Sequence, residues 1–486
     1  MPDTATATTR AGTAPDGTAL GGATAAGATL GPALARLVAD GLATPAYAYD
    51  LAEVRAGTAR LRAALPAGSA LYYSLKANPH PMLLRELREL GTRPEVCSPG
   101  ELDAATDTGW PAADVLYTGP GKRDADLAYA LSRGVREFSV DSPAGLAQLA
   151  AAARARRTEA RALLRVNGDQ PGPGQGLAMT GVTSQFGADL GWVLAAPTRF
   201  ASRPGAEVVG LHLYMGTNMT TVDDLLAQFA LSLRAAVRIG AALRPHGVRL
   251  RVLDLGGGFG APFARAAGGV DLAGLGPRLS DLLDAELPGW RAGDPALVFE
   301  SGRYLVAAAG TLLVRVLDAK RSHGRQVVVL DAGINHLGGM SGLRRLPPLT
   351  PDLVALPGVG PRSHGPSDTG PVPGGAGRGA PVPTLVAGPL CTPLDTWARQ
   401  TPLPPLRPGD LLAVPNVGAY GLYASLVAFL GHPLPVEVVL DGARPQAPPR
   451  DVSRLVLRRV PADLDPGADP RPGTDPRPGK EDADHG

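Results

Sequence analysis

The stretch Leu71-Tyr72-Tyr73-Ser74-Leu75-Lys76-Ala77-Asn78 runs through aromatic and aliphatic residues and then delivers one amine where the chain turns polar. A short apolar, aromatic-rich run closed by polar residues is the pattern of a buried strand. Lys76 stands at its carboxyl end. Two readings are open for such a lysine. Its stem can snorkel along an apolar surface with the ammonium in water. Alternatively, apolar neighbours disfavour the ammonium form and leave a nucleophile for a carbonyl, as in Schiff-base lysines.

Working outward, seven more short β-prone runs follow: Pro94–Cys97, Val115–Thr118, Glu137–Val140, Ala162–Val166, Val208–Tyr214, Leu250–Leu255 and Ala296–Phe299. Helix-periodic segments such as Met82–Leu90, Ala144–Arg157 and Asp223–Leu243 lie between them. Alternation of this kind forces parallel strands joined by crossover helices. With Leu71–Leu75 it makes eight β/α units, which predicts a closed (β/α)8 barrel, with an open doubly wound sheet as the alternative. Nearly every strand ends in a polar or glycine-rich cluster: Lys76, Glu95 to Ser98, Thr118-Gly119, Asp141-Ser142, Arg165 to Asn167, His212 to Thr217, Gly256-Gly257-Gly258 and Glu300 to Arg303. Barrel active sites form at that end.

The chemistry of those clusters converges. Glycines after the apolar strand Val252 to Leu255 let backbone N–H groups close around an anionic oxygen. Arg303 offers a planar fork of donors suited to phosphate, and Glu300 is an anion able to keep a proton on a heterocyclic nitrogen. A carbonyl-seeking lysine, a phosphate cradle and such a carboxylate are together what pyridoxal phosphate requires.

With 486 residues the chain exceeds one ordinary domain. Lys+Arg 47 against Asp+Glu 45 leaves a formal charge of +2 with no basic stripe, which argues against a nucleic-acid partner. Cys97 and Cys391 provide no disulfide framework and no metal-ligand spacing, so a reducing cytoplasm is expected. No metal is expected either, since His80, His212 and His336 show no HxH or HExxH spacing. No run approaches the ~20 apolar residues of a membrane span, so no membrane association is expected. Residues 1–32 read as a disordered leader, 361–383 as a flexible Pro/Gly-rich insertion and 461–486 as a disordered tail.

Motifs in fixed order identify the wider resemblance: YYSLKAN around Lys76, PEVCSPGEL at Pro94–Leu102, LLRVN at Leu163–Asn167, SQFG at Ser184–Gly187, GLHLYMGTN at Gly210–Asn218, LDLGGGFG at Leu253–Gly260, ESGR at Glu300–Arg303, GPLCTPLD at Gly388–Asp395 and VGAYG at Val417–Gly421. Over roughly residues 40 to 460 the chain resembles the fold-type III pyridoxal-phosphate decarboxylases, the family of diaminopimelate and ornithine decarboxylases. The resemblance implies a pyridoxal-binding (β/α)8 barrel over 70–303 and a β-barrel domain over 304–460, joined by the N-terminal segment 33–69. It implies that Lys76 forms the Schiff base, that Glu300 pairs with the pyridine nitrogen and that Arg165 lies near the phenolic oxygen. Thr217, Gly256, Gly257, Gly258, Arg303 and Tyr420 would hold the phosphate, with His212, Tyr214, Ser301 and Gly302 completing the cofactor site. Cys391 would return a proton after carbon dioxide leaves, reaching the site from the other subunit of a homodimer.

Departures from the family pattern bear on the substrate. Tyr214 stands where a stacking histidine is usual, Ser301 replaces the proline of EPGR and Gln185 the lysine of SKFG. Thr392 follows Cys391 where the family places Glu or Asp, so no carboxylate is there to meet a distal ammonium, which argues against ornithine or lysine. Arg344, Arg345, Thr392 and Asp395 are the candidate substrate residues, with a solvated surface pair as the alternative reading of the two arginines. The wording HLYMGTN and the ending Phe429-Leu-Gly-His-Pro-Leu-Pro-Val-Glu437-Val-Val look closer to biosynthetic-cluster members, such as the glutamyl-carrier-protein decarboxylase of aminoglycoside assembly, than to housekeeping diaminopimelate enzymes. The expected function is therefore decarboxylation of an amino acid or of an aminoacyl group on a carrier protein. A lysine-forming diaminopimelate decarboxylase or a non-catalytic cofactor-binding relative is the alternative.

Overall fold

The computed structural model describes residues 31–170, 180–214, 216–338, 350–356 and 380–459. Arg344, Arg345, almost all of the expected leader, most of the expected insertion and the expected tail lie outside the described residues. Two residues assigned to the insertion belong to a strand, because Val382 and Pro383 pair with Leu403 and Pro402.

The described strands, in chain order, are β1 (Ala46–Asp50), β2 (Ala70–Ser74), β3 (Arg93–Val96), β4 (Leu116–Tyr117), β5 (Glu137–Val140), β6 (Ala160–Asn167), β7 (Ala188–Asp189), β8 (Ala206–His212), β9 (Val252–Asp254) and β10 (Ala296–Ser301). They continue with β11 (Gly310–Ser322), β12 (Arg325–Leu330), β13 (Val354–Leu356), β14 (Val382–Ala387), β15 (Thr396–Leu403), β16 (Leu411–Val414), β17 (Val436–Leu440) and β18 (Asp451–Ser453). The order β5-β4-β3-β2-β10-β9-β8-β6 is parallel throughout and closes through β5 and β6, so eight strands form a barrel, with β7 appended to β6. All eight expected strands are its staves, displaced by at most two residues at either end. Hydrophobic burial drives the closure: Tyr73, Phe138, Leu211 and Phe299 are each under 1 % exposed.

The second unit is a mixed nine-stranded sheet. β1 enters it between β11, to which it is antiparallel, and β17, to which it is parallel, so a segment preceding the barrel in sequence completes a sheet made mostly after it. The helical span Val222–His246 is long and apolar enough to cross a membrane by length and composition alone. Here it buries Leu225, Phe229, Leu233, Ile239 and Leu243 in the main hydrophobic core. The same helix also carries Asp223, Asp224, Arg234 and Arg238.

Candidate functional site

β2 passes into a single 3-10 turn, Leu75–Ala77, which presents Lys76 at the carboxyl end of the barrel. The turn is pinned on both sides. Tyr73 Oη donates to Asn78 O (2.9 Å), Asn78 Nδ2 donates to Gly418 O (2.8 Å), and Tyr420 N–H donates to Ala77 O (2.8 Å). The last two bonds tie the lysine turn to the loop after β16, so the second unit fixes the position of the amine.

Lys76 Nζ lies 3.7 Å from Glu95 Oε1, and half of the side-chain surface faces open space. Glu95 is buried and accepts from Thr118 Oγ1 at 2.6 Å. This corrects the expectation that apolar neighbours disfavour the ammonium. Glu95 raises the lysine pKa, burial opposes it and loses, and Tyr420 and Glu300 add to the effect.

A cavity that encloses, with its mouth, about 380 Å³ brings Lys76 together with Tyr214, Thr217, Gly257, Gly258, Glu300, Ser301, Gly302, Arg303 and Tyr420. Ser74, Asn218 and Phe259 line it as well; each lies inside one of the motifs, but none had been assigned a role. The glycines leave room for backbone approach and for little else. A Cβ on Gly257 would stand 2.2 Å from Glu300 O, and one on Gly258, at φ +98, would stand 2.8 Å from Gly216 O. Gly256 is the tight turn behind them, where a Cβ would meet the Tyr214 ring at 2.8 Å. Arg303 lies over the Tyr420 ring at 4.8 Å, and Tyr420 holds a left-handed φ of 57.

Behind the cavity wall lies a buried acid-base cluster. His212 Nδ1 meets Ser139 Oγ at 2.9 Å, while Nε2 stands 3.3 Å from Glu300 Oε1 without the alignment of a hydrogen bond. Asp254 is next to His212 in the pairing register of β8 and β9. His212, Asp254 and Glu300 each bring one ligand-type atom within 4.8 Å of the others, and all are buried. Two full anions at that spacing would repel by about 3–4 kcal/mol at an effective dielectric of about 20. The site resolves this by splitting them. Burial raises Asp254 strongly and the charge on Glu300 raises it further. For Glu300 burial also pushes upward, but His212 outweighs it with help from Lys76 and Arg165, so its carboxyl falls below the usual range.

The other expected residues lie apart from the cavity. Arg165 is buried with its guanidinium 4.5 Å over Phe186 of the SQFG motif, and Gly187 N–H donates to Asp141 Oδ1 at 2.8 Å. Lys122, unmarked by the motifs, is 3.9 Å from Asp141, and burial lowers its amine to a pKa of about 8. Cys391 is exposed. Asp395 does not face substrate space: its carboxylate accepts the N–H groups of Ile334 (2.8 Å) and Leu390 (2.9 Å), so it holds the loop that carries Cys391. Thr392 is likewise engaged locally, its Oγ1 accepting from Leu394 N–H at 3.3 Å.

This arrangement fits pyridoxal phosphate. The cradle would be filled by any Cβ, Glu300 Oε1 is a buried oxygen without a hydrogen-bond partner, and an amine and a guanidinium share one cavity. Comparison with known proteins agrees. Residues 51–307 match the family model described as pyridoxal-dependent decarboxylase, pyridoxal binding domain. The L-glutamyl-[BtrI acyl-carrier protein] decarboxylase of Niallia circulans is 32 % identical over 82 % of this chain and 88 % of its own length. The diaminopimelate decarboxylase of Actinosynnema pretiosum subsp. auranticum is 36 % identical over 88 % and 92 %. The crystal structure of diaminopimelate decarboxylase from Helicobacter pylori complexed with L-lysine shares the fold, with a TM-score of 0.69 at 24 % identity over 84 % of this chain and 94 % of that one. The barrel, the cavity at its carboxyl end and these matches place the chain in the pyridoxal-phosphate-dependent decarboxylase family.

Proposed function

We propose that the chain decarboxylates an amino acid, free or as an aminoacyl group on a carrier protein, with pyridoxal phosphate held covalently on Lys76. The observation that carries this reading is the convergence of Lys76, Glu300, Arg303 and the Gly257-Gly258 cradle on one cavity. When bound, the cofactor supplies an electron sink for the pair left behind by departing carbon dioxide. This chain's residues do the rest. Arg303, Thr217 and the glycine N–H groups would bind the phosphate and Tyr214 would cover the ring, while Arg165, behind the cavity, would serve the phenolic oxygen. Glu300 would face the ring nitrogen and keep a proton there. Glu95 keeps the displaced Lys76 amine charged and in place.

Cys391 would return the proton from Sγ and, in this reading, serves the site of a second copy, making the enzyme a homodimer with shared sites. Its exposure on its own chain is compatible with that task. Thr392 leaves the position after the cysteine uncharged, which disfavours a substrate with a distal ammonium. The relative from Niallia circulans, named for a glutamyl group on an acyl-carrier protein, supports the tethered form. Two free thiols among the described residues suit a reducing compartment.

The test is carbon dioxide release from the reconstituted enzyme, offered free L-amino acids, meso-diaminopimelate and, separately, glutamyl-loaded carrier protein. Release from the carrier-bound substrate is expected to exceed release from any free amino acid. Preferential release from diaminopimelate would replace this assignment with the lysine-forming one, and no release from any substrate would leave a cofactor-binding relative.

A further inference from the structure

Asp254 is the one carboxylate of the buried cluster to which the proposed chemistry assigns no task. It ends β9, where its register partners are His212 on β8 and Val298 on β10, two residues before Glu300. One oxygen is used locally, Oδ1 accepting Gly256 N–H at 2.8 Å and so shaping the first turn of the glycine cradle. The other, Oδ2, is fully buried without a hydrogen-bond partner, as is Glu300 Oε1. Asp254 itself is 0 % exposed and Glu300 2 %.

We infer that Asp254 is a neutral carboxylic acid whose Oδ2–H is directed at Glu300, a positioning residue that fixes where the negative charge of the pair resides and how it is aimed at the cavity. Three features of the geometry require it. An unpartnered anionic oxygen in a dry interior is among the most costly arrangements in a protein, whereas a protonated one becomes a donor. A carboxylate with an orphan oxygen, Glu300, is the acceptor at hand. Charges facing the pair also divide it unequally. Lys76 and Arg165 bear on Glu300, while Asp254 faces Glu300, Glu95 on β3 and the Tyr72 hydroxyl on β2. His212, approached from behind by Ser139, reaches Glu300 through Nε2. The single negative charge thus belongs on Glu300, with the proton on its neighbour.

This inference rests on Glu300 being the residue that faces the ring nitrogen, but its test is made on cofactor-free protein and so fails independently. Infrared difference spectra of folded parent minus D254N at neutral pH should contain the carbonyl band of a protonated carboxylic acid, shifted in D2O. E300Q should retain that band. Its loss from E300Q, or its absence from the parent minus D254N difference, overturns the assignment; D254S serves the same subtraction if D254N does not fold. A second readout is stability against pH. A folded-state acid with a raised pKa contributes stability in full below the unfolded value and loses it as pH rises. D254N lacks that loss, so its Tm relative to the parent should climb from acid to neutral pH. A relative Tm that falls over the same range would show Asp254 to be stabilised as the anion and would also overturn the inference.

Discussion

Replacing Glu300 by Gln keeps the shape of the side chain and removes its charge. Glu300 is 2 % exposed at the end of β10 and is held as the anion by His212, Lys76 and Arg165. A protonated ring nitrogen at a hydrogen-bond separation of about 3 Å would gain roughly 5 kcal/mol from that anion at an effective dielectric of about 20. A neutral amide oxygen recovers about 1–1.5 kcal/mol of this as an ordinary hydrogen bond. The remaining 3–4 kcal/mol corresponds to a fall in turnover of about 10²–10³-fold at 1.36 kcal/mol per tenfold. The phosphate cradle is untouched, so E300Q should still bind the cofactor. Cofactor content is measured by absorbance after reconstitution, and turnover by carbon dioxide release at saturating substrate. E300Q that is fully loaded and turns over as fast as the parent would refute the reasoning, because the carboxylate would then make no contact with the ring nitrogen.

Further outcomes follow from other residues. Gly257→Ala places a Cβ 2.2 Å from Glu300 O, so cofactor affinity should drop by at least about tenfold, the effect of 1.4 kcal/mol of displaced backbone, as read by fluorescence titration; unchanged affinity would mean the loop is not the cradle. Mixed Lys76→Ala and Cys391→Ala chains should regain roughly a quarter of parental activity once subunits exchange, since half the dimers are mixed and one of their two sites is intact; demonstrated exchange without recovery would put both residues to work within one chain. Glu437, buried and accepting from Tyr49 and Tyr423 at 3.1 Å each, is pushed up to about 7 by burial, helped by Asp451. Its raised folded-state pKa means that stability present below the unfolded value, 4.5, is lost as pH rises through about 7, an amount on the order of 3 kcal/mol at 1.36 kcal/mol per unit. Glu437→Gln should therefore flatten the decline in Tm between about pH 5 and pH 8, and an unchanged slope would show that Glu437 is not its source.

Much of the barrel could be read from residues, for a reason tied to its geometry. Parallel strands covered on both faces must be continuously apolar and then end abruptly where the site begins. Leu71 to Lys76 and Ala296 to Arg303 show this plainly, and their polar ends are the residues that line the cavity. What escaped reading sits inside those apolar runs. Ser139 and Asp254 lie on different strands and acquire partners only when register brings Asp254 beside His212 and Ser139 against the same ring, and the role of Glu95, visible only as part of a strand-end cluster, emerges when it meets Lys76. Asp395 misled for the complementary reason. A carboxylate near a reactive cysteine in sequence resembles a substrate ligand, yet in space it satisfies two backbone amides that a tight loop would otherwise leave unpaired. The amine itself also behaved unlike its sequence context, since one buried glutamate outweighs the apolar neighbours of Lys76.

The central claim is that Lys76 carries the cofactor, and it is tested most directly by borohydride reduction of the reconstituted protein followed by peptide mass spectrometry. The account predicts a single pyridoxyl-phosphate adduct on the peptide containing Lys76, and none in Lys76→Ala. An adduct on Lys122 or another lysine in the parent, or equal labelling of Lys76→Ala, would contradict it.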